Sequence, residues 1–397
     1  MIKRHSNFLN NSRIFCYLRI VVMNINKQPP LWLLTLLIMF PQLVETIYSP
    51  ALPDIARAFQ VGSERAAQTL SVYFVAFGVG VALWGWLSDR VGRRPAMMVG
   101  LLCYGTGSAL ALVASDFSVL LLARMVAAVG AAAGSVVVQT MLRDSYESTA
   151  LARVFSVMGA ALAISPVFGL VSGGWLVSLY GHRGVFVALV TMALVLLALT
   201  AFLLPETRSE KTSGSRFGGL VCRMAGDGSL WKNAMLVALL NTMLFSYYSL
   251  APFLFGQLGW SPRAFGWTGV LLAFASLSGS LWNRKLLSIG LAPEKLVKNA
   301  CLLALLSGIA AWVLQQSVWI LVPVAGVVIA YGIAIPNVLS QALSQYREQA
   351  GAAGALFGLV YYLLLGMMLG LAGIVQLLGL VLTACAAIAC LCSLPRR

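Results

Sequence analysis

The sequence predicts an all-α membrane protein with twelve transmembrane helices in two pseudo-symmetric six-helix bundles. Three observations carry this. Hydrophobic residues make up 60% of the 397 positions and charged residues only 10%, where a soluble chain would carry about a quarter. The apolar runs continue for the roughly 20 residues that a helix needs to cross a bilayer, and they do not alternate as barrel strands do. The cations fall in alternate loops.

Of the 27 Lys and Arg, about 22 lie in the N-terminal tail and the even-numbered loops, while the other side holds Arg57, Arg65, Arg183 and Arg263. That bias predicts cytoplasmic termini. It also reads the formal charge of +15 as loop asymmetry and not as a nucleic-acid surface. The seven cysteines show no metal-type spacing.

Residues 1–30 form a basic, polar cytoplasmic tail, and Met23 opens a stretch that looks like a more ordinary N-terminus. The first bundle (31–204) holds spans at about 31–52, 68–88, 95–114, 118–140, 151–178 and 184–204. Residues 205–232 are the longest connection and the natural cytoplasmic linker. The second bundle (233–394) holds spans at about 233–255, 264–282, 296–314, 318–340, 351–370 and 372–394.

Between the second and third spans lies LWGWLSDRVGRRPAM. Gly85 allows a neighbouring helix to approach. Asp89 can hold an arginine or face a helix N-terminus. Gly92 permits the reversal that follows. The order Gly85, Leu87, Ser88, Asp89, Arg90, Gly92, Arg93, Arg94 closely resembles the loop 2–3 signature of the major facilitator superfamily. There it acts as a conformational latch and does not touch substrate. Gly279 to Arg284 repeats part of it at the matching place in the second half, with Asn283 where the first half has Asp89. A duplicated six-helix unit predicts such a repeat.

An ionisable residue inside a membrane span is a functional candidate. Sorting the charges against the spans leaves Glu45 in the first and Arg124 in the fourth, with Asp54 at the outer end of the first. Glu45 and Arg124 each lie about eight residues, or about 12 Å, from the outer end of their helix. They read either as a structural ion pair, direct or through water, or as a proton-coupling site. A carboxyl in a low-dielectric cavity can exchange a proton near neutral pH. Glu45 could also hold the cationic part of a substrate.

Glu45-Thr-Ile-Tyr-Ser-Pro-Ala-Leu-Pro-Asp resembles the first helix of the Bcr/CflA-type drug:proton antiporters. In many relatives the acidic residue stands where this chain has Thr46, so Glu45 is turned by about 100° on the helix. Arg124 and Gly130 resemble part of the family's fourth-helix motif. Pro166 and Gly169, with Gly173, resemble its antiporter motif in the fifth helix, which bends the helix and admits close contact. Small-residue helix packing accounts for the same pattern on physical grounds alone.

The resemblance implies a proton-coupled antiporter of the bacterial inner membrane that exports drugs or other amphipathic, aromatic compounds. It implies no cofactor, metal or catalytic group, and a single chain suffices as a monomer. The polar and aromatic residues expected around a substrate cavity are Gln42, Tyr73, Phe77, Gln139, Met158, Asn241, Phe245, Tyr248, Tyr331, Asn337 and Tyr361. Such a set suits cationic or aromatic molecules. The alternatives are an exporter of a specific metabolite (a nucleoside, sugar or amino-acid derivative), proton-coupled uptake, and a channel or receptor. The chain contains no G-x-x-x-x-G-K-[ST] loop, so ATP does not drive it.

Overall fold

A computed structural model describes residues 28–146, 148–208 and 217–394. The expected N-terminal tail lies almost wholly outside them, as does the middle of the expected linker. Among the described residues every regular element is helical. Lipid offers the backbone no hydrogen-bonding partner, so each crossing segment must satisfy its own amides.

The first crossing is α1 (Leu31–Tyr48), a 3₁₀ turn at Ser49–Ala51, and α2 (Leu52–Ala58). Pro50 has no N–H to continue the ladder, and the backbone tightens at that point. Next come α3 (Ser63–Val91), α4 (Arg93–Val113) and α5 (Phe117–Ser145). The side chain of Asp116 caps α5 by accepting from the Ser118 N–H. Then α6 runs from Ser148 to Leu203, broken at Gly181 with φ of 65°.

The break is a full reversal. A Cβ placed on Gly184 would lie 3.3 Å from the Leu176 carbonyl oxygen, whereas eight residues of straight helix span about 12 Å. The expected gap of several residues between the fifth and sixth spans is therefore a single-residue turn, which a glycine can make at positive φ.

The short α7 (Phe217–Ala225) leads to α8 (Gly228–Gln257). This helix begins earlier than hydropathy suggests because Asp227 accepts the Ser229 and Leu230 N–H groups and starts it. The rest of the second bundle is α9 (Pro262–Ser288), α10 (Pro293–Val313), α11 (Leu321–Ala342), α12 (Ala350–Val375) and α13 (Leu378–Ser393). Gln376, at φ of 56°, separates the last two. Among the described residues ten helices are long and apolar enough to cross a membrane, and α13 is a shorter apolar helix. With α6 counted as two arms, this is compatible with twelve crossings.

The two halves meet along three seams. Helix α3 lies along α12, where Ser71 Oγ donates to the Gly366 carbonyl at 2.7 Å. The first arm of α6 meets α9, where the Arg263 guanidinium sits 3.4 Å over the Trp175 ring. Ser49 Oγ donates to the Tyr248 carbonyl, joining the first crossing to α8.

Within the first half, the glycines of the fifth crossing admit the first. Thr46 is fully buried. A Cβ on Gly169 would collide with Thr46 Oγ1, and one on Gly173 with the Ile47 carbonyl. Gly159, in the same arm, has open space around it. Overpacking a tight helix contact costs about 1–3 kcal/mol. Gly173→Val is therefore expected to lower the melting temperature of the purified protein, while Gly159→Ala leaves it nearly unchanged. Thermal melts in detergent would check this, and equal melting of the two variants would disprove the contact.

Candidate functional site

Glu45 sits in the last turn of α1, midway along the first crossing, 4% exposed. Gln42 precedes it by three residues and Tyr48 follows by three, so each adjoins Glu45 on α1. Position 46 points elsewhere. Its hydroxyl donates back to the Gln42 carbonyl at 2.8 Å, and it is pressed against Gly169. The acidic residue thus stands one turn from Gln42, and Thr46 beside it is closed by the α6 contact.

That cavity lies where α1, α6, α8, α9 and α11 converge. Gln42, Pro166, Tyr248, Ser276 and Tyr331 are among its lining, and its volume is about 40 Å³. This holds a water or two, not a drug-sized molecule, which needs several hundred Å³. The Glu45 carboxyl lies within electrostatic range of Tyr248 and Tyr331, which line this space, and of Tyr73, Tyr361 and Tyr362. Tyr331 Oη donates to Asn241 Oδ1 at 3.1 Å, and Asn241 donates to the Val237 carbonyl.

An aromatic seam crosses between the halves beside it. Phe74 and Phe245 have centroids 4.4 Å apart, Phe77 and Tyr362 4.8 Å, and Tyr361 and Tyr362 4.2 Å. Phe245 leads on to Tyr248 at 5.6 Å.

Arg124 does not form the direct ion pair that its depth suggested. Among the described residues no ion pair within 4.0 Å joins it to Glu45. Instead its guanidinium lies between two rings, 4.0 Å from the centroid of Tyr48 and 4.4 Å from that of Tyr73. The side chain is 1% exposed, and its Nε and Nη2 have no hydrogen-bond partner among the described residues. Desolvated cation–π contacts contribute about 2 kcal/mol each. Burying an ion costs several kcal/mol even after relaxation. The rings therefore offset only part of the cost of this charge.

The remaining expected residues are scattered. Asp54 lies at the far end of the first crossing. Its Oδ2 accepts the His182 N–H at 2.7 Å and lies 2.8 Å from His182 Nδ1, while Oδ1 meets Arg57 at 3.2 Å. Asn337 is buried at the opposite end of the bundle, donating to Asn283 Oδ1 at 2.7 Å. Gln139 is half-buried in α5 and Met158 is buried in α6. Of the residues expected around a substrate cavity, Gln42, Tyr248 and Tyr331 line the one above, whereas Tyr73, Phe77, Gln139, Met158, Asn241, Phe245, Asn337 and Tyr361 do not. The list drawn from the sequence did not include Tyr48. Its spacing of three from Glu45 was the available signal.

The latch segment closes on itself and on the end of α6. Arg93 is buried, and its guanidinium bonds to Asp89 at 2.9 Å, to Asp144 at 2.8 Å and to the Ser88 carbonyl at 2.8 Å. Gly92 turns the chain with φ of 104°. Arg90 lies 4.0 Å over the Trp86 ring, and Arg94 donates to the Ala201 carbonyl. Gly85 faces Ala355 of α12 across the two halves. Glu206 ties the whole together. Its carboxylate accepts the backbone N–H groups of Arg93 and Arg94 at 2.9 and 3.1 Å, and those of Thr207 and Arg208 at 3.0 and 2.8 Å. A carboxylate at the start of α4 is favoured by the orphan amides and the helix dipole together.

This is the architecture of a helical membrane transporter with a small cavity where helices of both halves converge. A sequence profile of the Major Facilitator Superfamily matches residues 34–371, and the chain belongs to that family. An uncharacterized transporter of Rickettsia bellii is 30% identical over 365 residues, covering 86% of this chain and 89% of that protein. Multidrug resistance protein D of Escherichia coli is 28% identical over 382 residues, covering 92% and 95%. Among solved structures, the D-xylose-proton symporter superposes with a TM-score of 0.70 at 15% identity, covering 90% of this chain and 96% of that one.

Glu206→Ala removes the acceptor from four amides and is expected to cost about 2 kcal/mol of stability. Glu206→Gln, which keeps one acceptor oxygen, should cost less. Thermal melts of the two variants beside wild type test the order, and an Ala variant as stable as wild type would show that Glu206 does not hold this corner.

Proposed function

We propose that this transporter is a proton-coupled antiporter of a bacterial inner membrane, exporting amphipathic or aromatic compounds by alternating access. The observation that carries the reading is Glu45: a buried carboxyl without an ion-pair partner within 4.0 Å among the described residues, one helical turn from Gln42, which lines the cavity between the halves. Such a group can load a proton when the cavity opens to one side and surrender it when the cavity opens to the other. The aromatic seam offers apolar and cation–π contact to a flat or cationic substrate. The likeness to multidrug resistance protein D supports the same reading.

In this scheme both termini are cytoplasmic, following the cation bias of the loops, and the Asp54–His182 end faces the periplasm. Glu45 takes a proton from the periplasm as substrate leaves and releases it inward as the next substrate enters. Arg124 acts beside it, and Asp54 lies on the proton's outer approach. Asp89, Arg93 and their neighbours stabilise one end state at the cytoplasmic side. The glycines facing Thr46 and Ile47 keep the first and fifth crossings in register during the exchange.

One observation favours a second reading, an exporter of a particular metabolite. The ordered pair of Tyr331 and Asn241 at the cavity edge presents hydrogen-bonding groups that suit a hydroxylated substrate.

Efflux of a fluorescent aromatic cation from cells lacking their main pumps, with and without an uncoupler, separates the readings. The expected result is uncoupler-sensitive efflux that falls at least about tenfold in Glu45→Gln. Efflux that survives in that variant moves the proton site elsewhere. No efflux from verified wild-type protein favours the metabolite exporter. Asp89→Asn is expected to slow transport while leaving substrate affinity within about twofold, since the segment does not border the cavity. Transport at the wild-type rate by that variant would remove the latch from the mechanism.

A further inference from the structure

Arg124 is a buried cation whose environment is incomplete. Two aromatic faces enclose it, yet Nε and Nη2 point at no acceptor among the described residues. The hydroxyls of Tyr48, Tyr73 and Tyr104 and the Oγ of Ser108 are likewise without a hydrogen bond of ordinary geometry. Two guanidinium nitrogens unsatisfied beside the partnerless hydroxyl of Tyr73 depart from the rule that buried polar groups are paired. A guanidinium presents its N–H donors in a fixed planar fork that fits an oxyanion.

The position of this cluster relative to Glu45 narrows the ligand. Tyr48, which stacks on the guanidinium, is three residues from Glu45, so Arg124 is held against the helix face that carries the carboxyl. Tyr73 serves both, stacked on Arg124 and within electrostatic range of Glu45. Gln42, one turn before Glu45, lines the cavity. Gln42, Glu45 and Tyr48 thus follow one another by single turns along α1, with the cavity at the first and the guanidinium against the last.

We infer that Arg124 is a binding site for the acid group of the substrate, and that the transporter takes aromatic zwitterions, with the amine toward Glu45 and the acid toward Arg124. The inference rests on the cavity being the substrate site, as proposed above, and not on proton coupling. A simple organic cation would engage Glu45 and leave Arg124 as it is. A molecule carrying both charges several ångströms apart answers both groups at once.

The test is binding to the purified full-length protein in detergent, with no gradient imposed. The probes are 4-(aminomethyl)benzoate, its methyl ester (cation only), its N-acetyl derivative (acid only), and sodium chloride and sulfate. Loss of a charge-assisted hydrogen bond should weaken binding about tenfold. The zwitterion is expected to bind wild type about tenfold more tightly than the ester, and Arg124→Gln should bring the two to equal affinity. The wild-type series decides even if that variant does not fold. Equal binding of ester and zwitterion to wild type overturns the inference, as does discrimination that persists in Arg124→Gln or failure of the whole series to bind at millimolar concentration. Chloride or sulfate that displaces the acid-only probe as effectively as the zwitterion does would assign the site to a free inorganic anion and also overturn it. Uncoupler-insensitive transport in the efflux assay would remove proton coupling and leave this result standing.

Discussion

Inside the hydrocarbon layer a polar group has no water to turn to, and most of this structure follows from that one fact. It makes the crossings helical. It makes Asn337 find Asn283, and it makes the hydroxyls of Thr46, Thr242 and Thr383 bond back to carbonyls four residues earlier. At the ends of helices, carboxylates of Asp116, Asp227 and Glu206 take up the amides that the helix itself leaves over. Against so consistent a background the exceptions stand out, and the two unpartnered nitrogens of Arg124 are among them.

The duplicated halves solve one corner in two ways. In the first, the turn between α3 and α4 is held by charge: Arg93 between Asp89 and Asp144, with Glu206 beneath the start of α4. In the second, the turn between α9 and α10 carries a neutral Asn283–Asn337 pair in the matching region. A charge network loses much of its worth when a carboxylate moves, because the Arg93 guanidinium remains buried. A neutral amide pair loses little. The first half is thus the one whose corner can be set or released by rearrangement, and it is also the half that carries Glu45.

Much of the fold was legible because hydropathy and loop charge act over twenty residues at a time, and small errors average out. The breaks were less so. Gly181 reverses the chain within one residue, and Asp227 starts α8 inside what reads as linker, since local turn and cap chemistry leaves only a faint mark on a hydropathy profile. Glu45 and Arg124 were visible as charges in apolar runs. Their relation was not. Equal depth in two helices says nothing of rotation about each axis, and it is rotation that puts Arg124 between Tyr48 and Tyr73 and not on the carboxylate. Asn337 was drawn into the expected cavity by its polarity alone, and it lies with Asn283 near the helix ends. Glu206 follows the sixth span in the sequence. That it reaches back across more than a hundred residues to the turn at Gly92 is a tertiary fact with no local signature.

The turn at Gly181 leaves the two arms of α6 without slack. A long loop would let the fifth crossing tilt while the sixth stayed still. Here a tilt at the Asp54 end has to pass through one residue into a rigid rod about 33 Å long, whose far end is fastened by Glu206 to the start of α4. The hairpin is in effect a lever with its pivot at one face of the bilayer and its load at the other, so the two ends of the first half cannot be adjusted independently.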